Sequence, residues 1–243
     1  MNERSEHEKL LRDSQAYDYN DRYLERGSVP VSVEDELIIN SLDLSNVKSI
    51  LDVGCGTGRL LSKINARYPN IEIVGLDLSS ASLDVASENI PTGKFHCFDL
   101  SNGDIKEIVN KKFDRVLSVQ VIQHLQPINH SHAVSQLVQS VSPNGKLVLE
   151  LYNHSGLIRK IEQIMRRNLN KEVKHDLFYE YRFSPSDIEM LLRTFGKAKI
   201  NGCQTIPRKL LNRFPKLKDT DMKLSRKIFS KYLAYYFIAI MEF

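Results

Sequence analysis

An apolar run that stops at three closely spaced glycines constrains this chain more than any other feature. Ser49-Ile50-Leu51-Asp52-Val53 reads as a short buried strand and Gly54-Cys55-Gly56-Thr57-Gly58 as a turn. The residues that follow, with Leu60, Leu61 and Ile64 on one side, read as a helix. Glycines at a strand–helix turn let the backbone approach a ligand where a Cβ would collide. The helix N-terminus behind them offers free N–H donors to a carboxylate or phosphate. Dinucleotide-binding turns follow G-x-G-x-x-G, and here Arg59 stands at the third glycine position, which weakens a pyrophosphate reading.

The strand–helix rhythm then repeats. Strands are expected at Ile71–Leu76, Lys94–Phe98, Phe113–Val119 and Lys146–Leu151, with helices over 80–89 and 129–141 and a turn at Ser142-Pro143-Asn144-Gly145. Such alternation means a parallel sheet with helices on both faces. Before it, residues 1–25 are polar, with Tyr17, Tyr19 and Tyr23 interleaved, and 33–43 read as a helix with Leu37, Ile38 and Leu42 inward. After it, residues 155–168 form a basic amphipathic pattern on Leu157, Ile158, Ile161, Ile164 and Met165. Ser184, Pro185 and Asp187 start a helix that stops near Gly196. Lys197–Cys203 and Leu233–Phe243 are further strand candidates.

Carboxylates recur at the expected strand ends. Asp77 closes the second strand, where it can accept both hydroxyls of a ribose. Asp99 closes the third, where it can accept from an adenine amino group while the next backbone N–H reaches a ring nitrogen. Ligands of open α/β sheets bind at that C-terminal edge.

With these residues in view, the stretch from about 48 to 150 resembles the class I S-adenosylmethionine-dependent methyltransferases of the small-molecule type. Leu51-Asp52-Val53-Gly54-Cys55-Gly56-Thr57-Gly58 resembles that family's first motif, Gly75-Leu76-Asp77-Leu78-Ser79 its second and Asp99-Leu100 its third. The segment from Val116 to Leu125 resembles its fourth. The resemblance implies a Rossmann-like seven-stranded, mostly parallel α/β sheet with an antiparallel last strand inserted beside the sixth. It also implies a helical N-terminal lid and an insert after strand five. S-adenosylmethionine would be the cofactor and S-adenosylhomocysteine the product. Gly54, Cys55, Gly56 and Gly58 would line its methionine and ribose side, and Asp52 would help hold the methionine amino group. Asp77 and Leu78 would serve the ribose, Asp99 and Leu100 the adenine, and Gln120 the methionine moiety. The chain departs from the spermidine synthase relatives in its glycine pattern. It also lacks the N/D-PPY/F motif of amino methyltransferases acting on DNA bases, glutamine or adenine.

Methyl transfer to an O–H or N–H acceptor needs a proton sink, and His124, just past the fourth strand, is the first candidate. Tyr17 and Tyr23, in the lid segment, and Tyr152 and His154, past the fifth strand, are the candidate acceptor-binding residues. Cys55 and Cys97 read as small core-fillers. His130 and His132 stand beside no Cys or acidic cluster, so no metal site is expected.

Length and charge bound the rest. A chain of 243 residues fits one domain. We divide it into an N-terminal helical segment (1–45), a cofactor-binding core (46–151), an insert or lid (152–184) and a C-terminal part (185–243). Three scattered cysteines argue against a disulfide framework. The polar N-terminus lacks a signal-peptide pattern, and no apolar run is long enough to span a bilayer, so a cytoplasmic protein is expected. Residues 1–150 carry 15 Lys and Arg against 21 Asp and Glu, a net of −6, and residues 151–243 carry 19 against 9, a net of +10. The basic portion suits an anionic acceptor, an acidic membrane surface or nucleic acid. The expected activity is methylation of an oxygen or, next, a nitrogen of a small or medium-sized acceptor. A tRNA or RNA methyltransferase docking on the basic half is the second reading, and a non-catalytic cofactor-binding partner protein the third.

Overall fold

The computed structural model describes residues 3–17, 33–153, 155–158, 160–161, 164, 181, 183–227 and 229–243. Two helices, α1 (Glu3–Gln15) and α2 (Val33–Leu42), precede the alternation. It then runs β1 (Ser49–Val53), α3 (Arg59–Arg67), β2 (Glu72–Asp77), α4 (Ser80–Asn89), β3 (Lys94–Cys97), a single turn α5 (Ile105–Ile108), β4 (Phe113–Val119), α6 (Pro127–Gln139) and β5 (Val141–Tyr152). The C-terminal part follows as α7 (Pro185–Arg193), β6 (Ala198–Cys203), three short helices α8 (Arg208–Arg213), α9 (Leu217–Ser225) and α10 (Ser230–Leu233), and β7 (Tyr236–Glu242). The strands pair in the order β3-β2-β1-β4-β5-β7-β6, with β7 antiparallel to both neighbours and the others that pair among β1–β5 parallel.

The sheet is buried on both faces because its strands alternate two apolar sets. Leu51, Val53, Val116, Leu147 and Leu149 face α6 and α7, which contribute Val134, Leu137, Ile188 and Leu192. Ile50, Ile73, Leu117 and Val148 face α2 and α3, through Ile38, Leu42, Leu61 and Ile64. Side-chain direction reverses at each residue of a strand, so both helical layers are needed to cover it.

The expected elements are present, with differences of detail. Ser142-Pro143-Asn144-Gly145 lies inside β5 and not before it. Phe113 pairs with Val141 and Arg115 with Lys146, so these four residues loop out of the ladder, with Asn144 at φ +63°. The last strand is antiparallel and inserted beside the sixth, as expected, between it and the fifth. The connection from β6 to β7 folds into α8, α9 and α10, none of which the apolar pattern had marked. They are fixed to the sheet by buried Asp221, whose Oδ1 accepts from the N–H of Thr205 at 2.7 Å and of Ile206 at 2.9 Å and from the Thr205 hydroxyl at 2.6 Å. Of the basic amphipathic stretch 155–168, Leu157, Ile158, Lys160, Ile161 and Ile164 are helical, and the remainder falls largely outside the described residues. Ser184 caps α7 as expected, in a reciprocal pair with Asp187.

Candidate cofactor site

The three glycines of the turn have left-handed backbones, with φ of +85°, +53° and +71° at Gly54, Gly56 and Gly58. Their surroundings differ. A Cβ on Gly54 would run into the side chain of Val121, and one on Gly58 would press on Ala86 at 3.1 Å. A Cβ on Gly56 would meet nothing within 4 Å. Gly54 and Gly58 are therefore demanded by packing, and Gly56 alone faces open space. The turn is bound to the neighbouring strand, with the N–H groups of Gly54 and Cys55 donating to the Leu76 carbonyl at 2.6 and 3.0 Å. Cys55 turns its sulfur toward Gly75 of β2, where a Cβ would lie 2.7 Å from Sγ. Burial pushes its thiol pKa up. It supports the turn from beneath.

Asp77 completes the cradle. Its Oδ2 accepts from the Gly56 N–H at 2.8 Å and its Oδ1 from the Ser79 N–H at 2.9 Å. Burial raises its pKa, and these N–H groups and the nearby Arg12 oppose that rise. Leu78 is half-buried beside it. Asp99 Oδ1 accepts from the Ser101 N–H at 2.9 Å, while its Oδ2 is buried with no hydrogen-bond partner among the described residues. Leu100 next to it is buried. Asp52 is buried, and its Oδ1 likewise has no partner. Burial first, and then the charge of Asp77, push the Asp52 pKa up to about 8 against the pull of Arg59. Arg59 is bound to Asp35 at 2.7 Å. Orphaned carboxylate oxygens therefore flank the one open glycine.

Helix α1 closes the side beyond β2. Asp13 Oδ1 accepts from the Ser79 hydroxyl at 2.6 Å and the Ala81 N–H at 3.2 Å, and Ser5 meets Ser101 at 3.4 Å. Tyr17, just past this helix, is exposed. Tyr23 and His154 lie outside the described residues.

On the other side, Gln120 leaves β4 with φ +58°. Its N–H donates to the Glu150 carbonyl at 2.9 Å, and its side-chain amide donates to Glu34 Oε1 at 3.0 Å. A single 3₁₀ turn, Ile122–His124, follows and leaves His124 half-buried at the sheet edge. Fully buried Gln123 accepts from the Tyr152 N–H at 2.9 Å and keeps its own amide nitrogen without a partner among the described residues. Tyr152 packs on Tyr236, with ring centroids 5.2 Å apart. Glu34, Gln123 and Glu150 escaped the sequence reading. For Glu150 the signal was there, an acid in the otherwise apolar run Leu147-Val148-Leu149-Glu150-Leu151.

The other singled-out residues stand apart. His130 is buried, bonded to the Leu125 carbonyl and packed on Tyr181 and Phe183, and burial lowers its pKa. His132 bonds to the Gly103 carbonyl at 3.0 Å. Cys97 is exposed, not a core-filler, because it ends the edge strand β3. Among the described residues, no three His, Cys, Asp or Glu are grouped to hold a metal ion, and no helix is long and apolar enough to cross a membrane.

A seven-stranded, doubly wound sheet with a glycine turn and acids at successive strand ends defines a nucleoside-type cofactor-binding α/β protein. Residues 51–147 match the family model described as a methyltransferase domain. The chain is 30% identical over 121 residues to a malonyl-[acyl-carrier protein] O-methyltransferase of Acetivibrio thermocellus, covering 48% of this chain and 41% of that protein. It is 30% identical over 103 residues to a trans-aconitate 2-methyltransferase of Deinococcus radiodurans, covering 42% and 37%. Thus the matches span about half or less of the length of these curated relatives. In fold it is similar to the plantazolicin methyltransferase BamL over 97% of both chains, with a TM-score of 0.63 at 16% identity. Residues 51–147 are thus similar to methyltransferase domains, within a fold similar to that of solved methyltransferases.

Two outcomes follow from this geometry. Gly56→Ala should fold with a stability loss of about 1 kcal/mol for the left-handed backbone yet weaken S-adenosylhomocysteine binding severely in calorimetry. Gly54→Ala should instead melt far below the parent, because its Cβ meets Val121. Asp52 has a folded pKa above its unfolded one, so its contribution to stability is full below about pH 4 and lost as pH rises through about 8. Asp52→Asn, which mimics the protonated acid, should therefore melt several degrees above the parent at pH 8, a gap that closes toward pH 4 in thermal melts. A gap independent of pH would contradict this.

Proposed function

We propose that the protein is an enzyme that transfers the methyl group of S-adenosylmethionine to an oxygen or nitrogen atom of a small or medium-sized acceptor. The observation that carries this reading is the open Gly56, hydrogen-bonded to Asp77 and flanked by the unpartnered oxygens of Asp52 and Asp99. These residues fit the cofactor: Asp77 offers acceptors for ribose hydroxyls, Asp99 with Leu100 a place for an adenine edge, and Asp52 a carboxylate for an ammonium. Gly54 and Gly58 shape the turn, and Cys55 and Leu78 line its floor and rim. The bound cofactor supplies a methyl group activated by a positively charged sulfur. The protein's part is to place the acceptor in line with it and to keep water out.

His124, in the 3₁₀ turn that follows β4, is assigned as the proton acceptor, and Gln120 is assigned to the methionine end. Tyr17, Tyr23, Tyr152 and His154 are assigned to the acceptor side. We read residues 1–243 as one methyltransferase domain working in the cytoplasm, in keeping with three free cysteines.

Titration calorimetry is expected to show S-adenosylmethionine binding with a Kd on the order of micromolar. Asp77→Ala should weaken it about 10- to 100-fold, as losing a charged hydrogen-bond acceptor does, whereas His124→Ala should leave binding intact and slow turnover. Absence of both binding heat and a thermal shift would overturn the reading.

A further inference from the structure

Beyond β5 the chain turns an apolar face outward. Leu157, Ile161 and Ile164 are helical and stand four and three positions apart, which puts them on one side of their helix. In a helix that covers a core, such a stripe is the buried one. Here the three side chains are 51%, 47% and 60% exposed. Lys160 beside them is exposed too. The sequence from 155 to 168 holds Arg159, Lys160, Arg166 and Arg167 against one acid, Glu162.

A second exposed group adjoins this helix. Buried Asn153 donates from its side-chain amide to the carbonyls of Lys231 at 2.8 Å and Ala234 at 2.9 Å. Gly156 packs so closely there that a Cβ would lie 2.2 Å from the Ala234 carbonyl oxygen. The outward helix is thereby fastened to α10, where Phe229 and Tyr232 are exposed. Lys231 pairs with Glu189 at 2.6 Å and lies 5.4 Å from the centre of the Tyr232 ring. Arg226 and Lys227 are exposed just before Phe229, and residues 226–233 contain no acid. The outward helix follows the end of β5, which runs parallel to β4 as β4 does to β1, so it starts at the sheet edge that carries the glycine turn.

We propose that this face docks on an anionic lipid bilayer, with Leu157, Ile161 and Ile164 among the acyl chains and the basic side chains at the headgroups. Charge complementarity selects that occupant. Aliphatic side chains beside ammonium and guanidinium groups match hydrocarbon lying beneath anionic headgroups. Nucleic acid would answer the charge but leave three aliphatic side chains with no π-face to offer a base. A second copy docked by two-fold symmetry would set the face against itself and bring its basic groups together. Docking of this kind is independent of the methyl-transfer reading.

The full chain is mixed with vesicles of phosphatidylcholine, alone or with about one-third phosphatidylserine, and binding is read by co-sedimentation. Affinity for the anionic vesicles should be about tenfold or more above that for the neutral ones, and should fall as salt is raised. Ile161→Ser combined with Ile164→Ser keeps every charge. It should weaken that binding about tenfold or more, because apolar burial is lost, with the melting temperature of the parent retained. The chain has no tryptophan, so Ile161→Trp supplies a single reporter whose emission should shift to the blue on anionic vesicles. No vesicle binding, equal binding to both lipids, binding that survives the two serines, or no blue shift overturns the proposal. So does a serine variant that melts well below the parent, which would show the face covered within the chain. A dimer that the serines dissolve, or RNA binding that they abolish while vesicle binding persists, overturns it in favour of those partners.

Discussion

The Asp77 carboxylate holding the Gly56 N–H at 2.8 Å is the interaction on which the site depends. It crosses from the end of β2 to the turn after β1, and so fixes the one glycine that has open space beside it. The backbone bonds from Gly54 and Cys55 to Leu76 lock the same turn from below. With the turn pinned, α3 starts where its N-terminus faces the edge and Arg59 reaches back to Asp35 on α2. The edge is costly. Asp52, Asp77 and Glu150 are all carboxyls whose pKa burial raises.

Much of this was legible in the sequence. The alternation of apolar runs and amphipathic stretches marks β1 to β5 and the helices between them because each strand buries both faces and each helix one. The acids at strand ends were legible for the same reason: Asp77 and Asp99 interrupt apolar runs where a strand must stop. Roles within the glycine turn were not. The sequence treats Gly54, Gly56 and Gly58 alike, and only the neighbours Val121 and Ala86 show that two of them answer to packing.

What stayed hidden depends on contacts between distant segments. Glu34 reads as an ordinary acid at a helix start until α2 is laid against β5. Asp221 reads as a surface acid of a polar stretch, yet it is buried and anchors α9 by accepting from Thr205 and Ile206. The basic C-terminal portion partly resolves: Arg213, Lys216, Lys223, Arg226 and Lys227 are exposed on or beside α8 and α9, while Asp52, Asp77 and Asp99 lie on or just beyond β1, β2 and β3.

The most direct measurement is methyl transfer itself. Purified protein, supplied with S-adenosylmethionine labelled at the methyl group, is incubated with a cell extract separated into small-molecule and macromolecular fractions. The account expects label in the small-molecule fraction, lost with Asp77→Ala. Binding of the cofactor without label in any small molecule would contradict it.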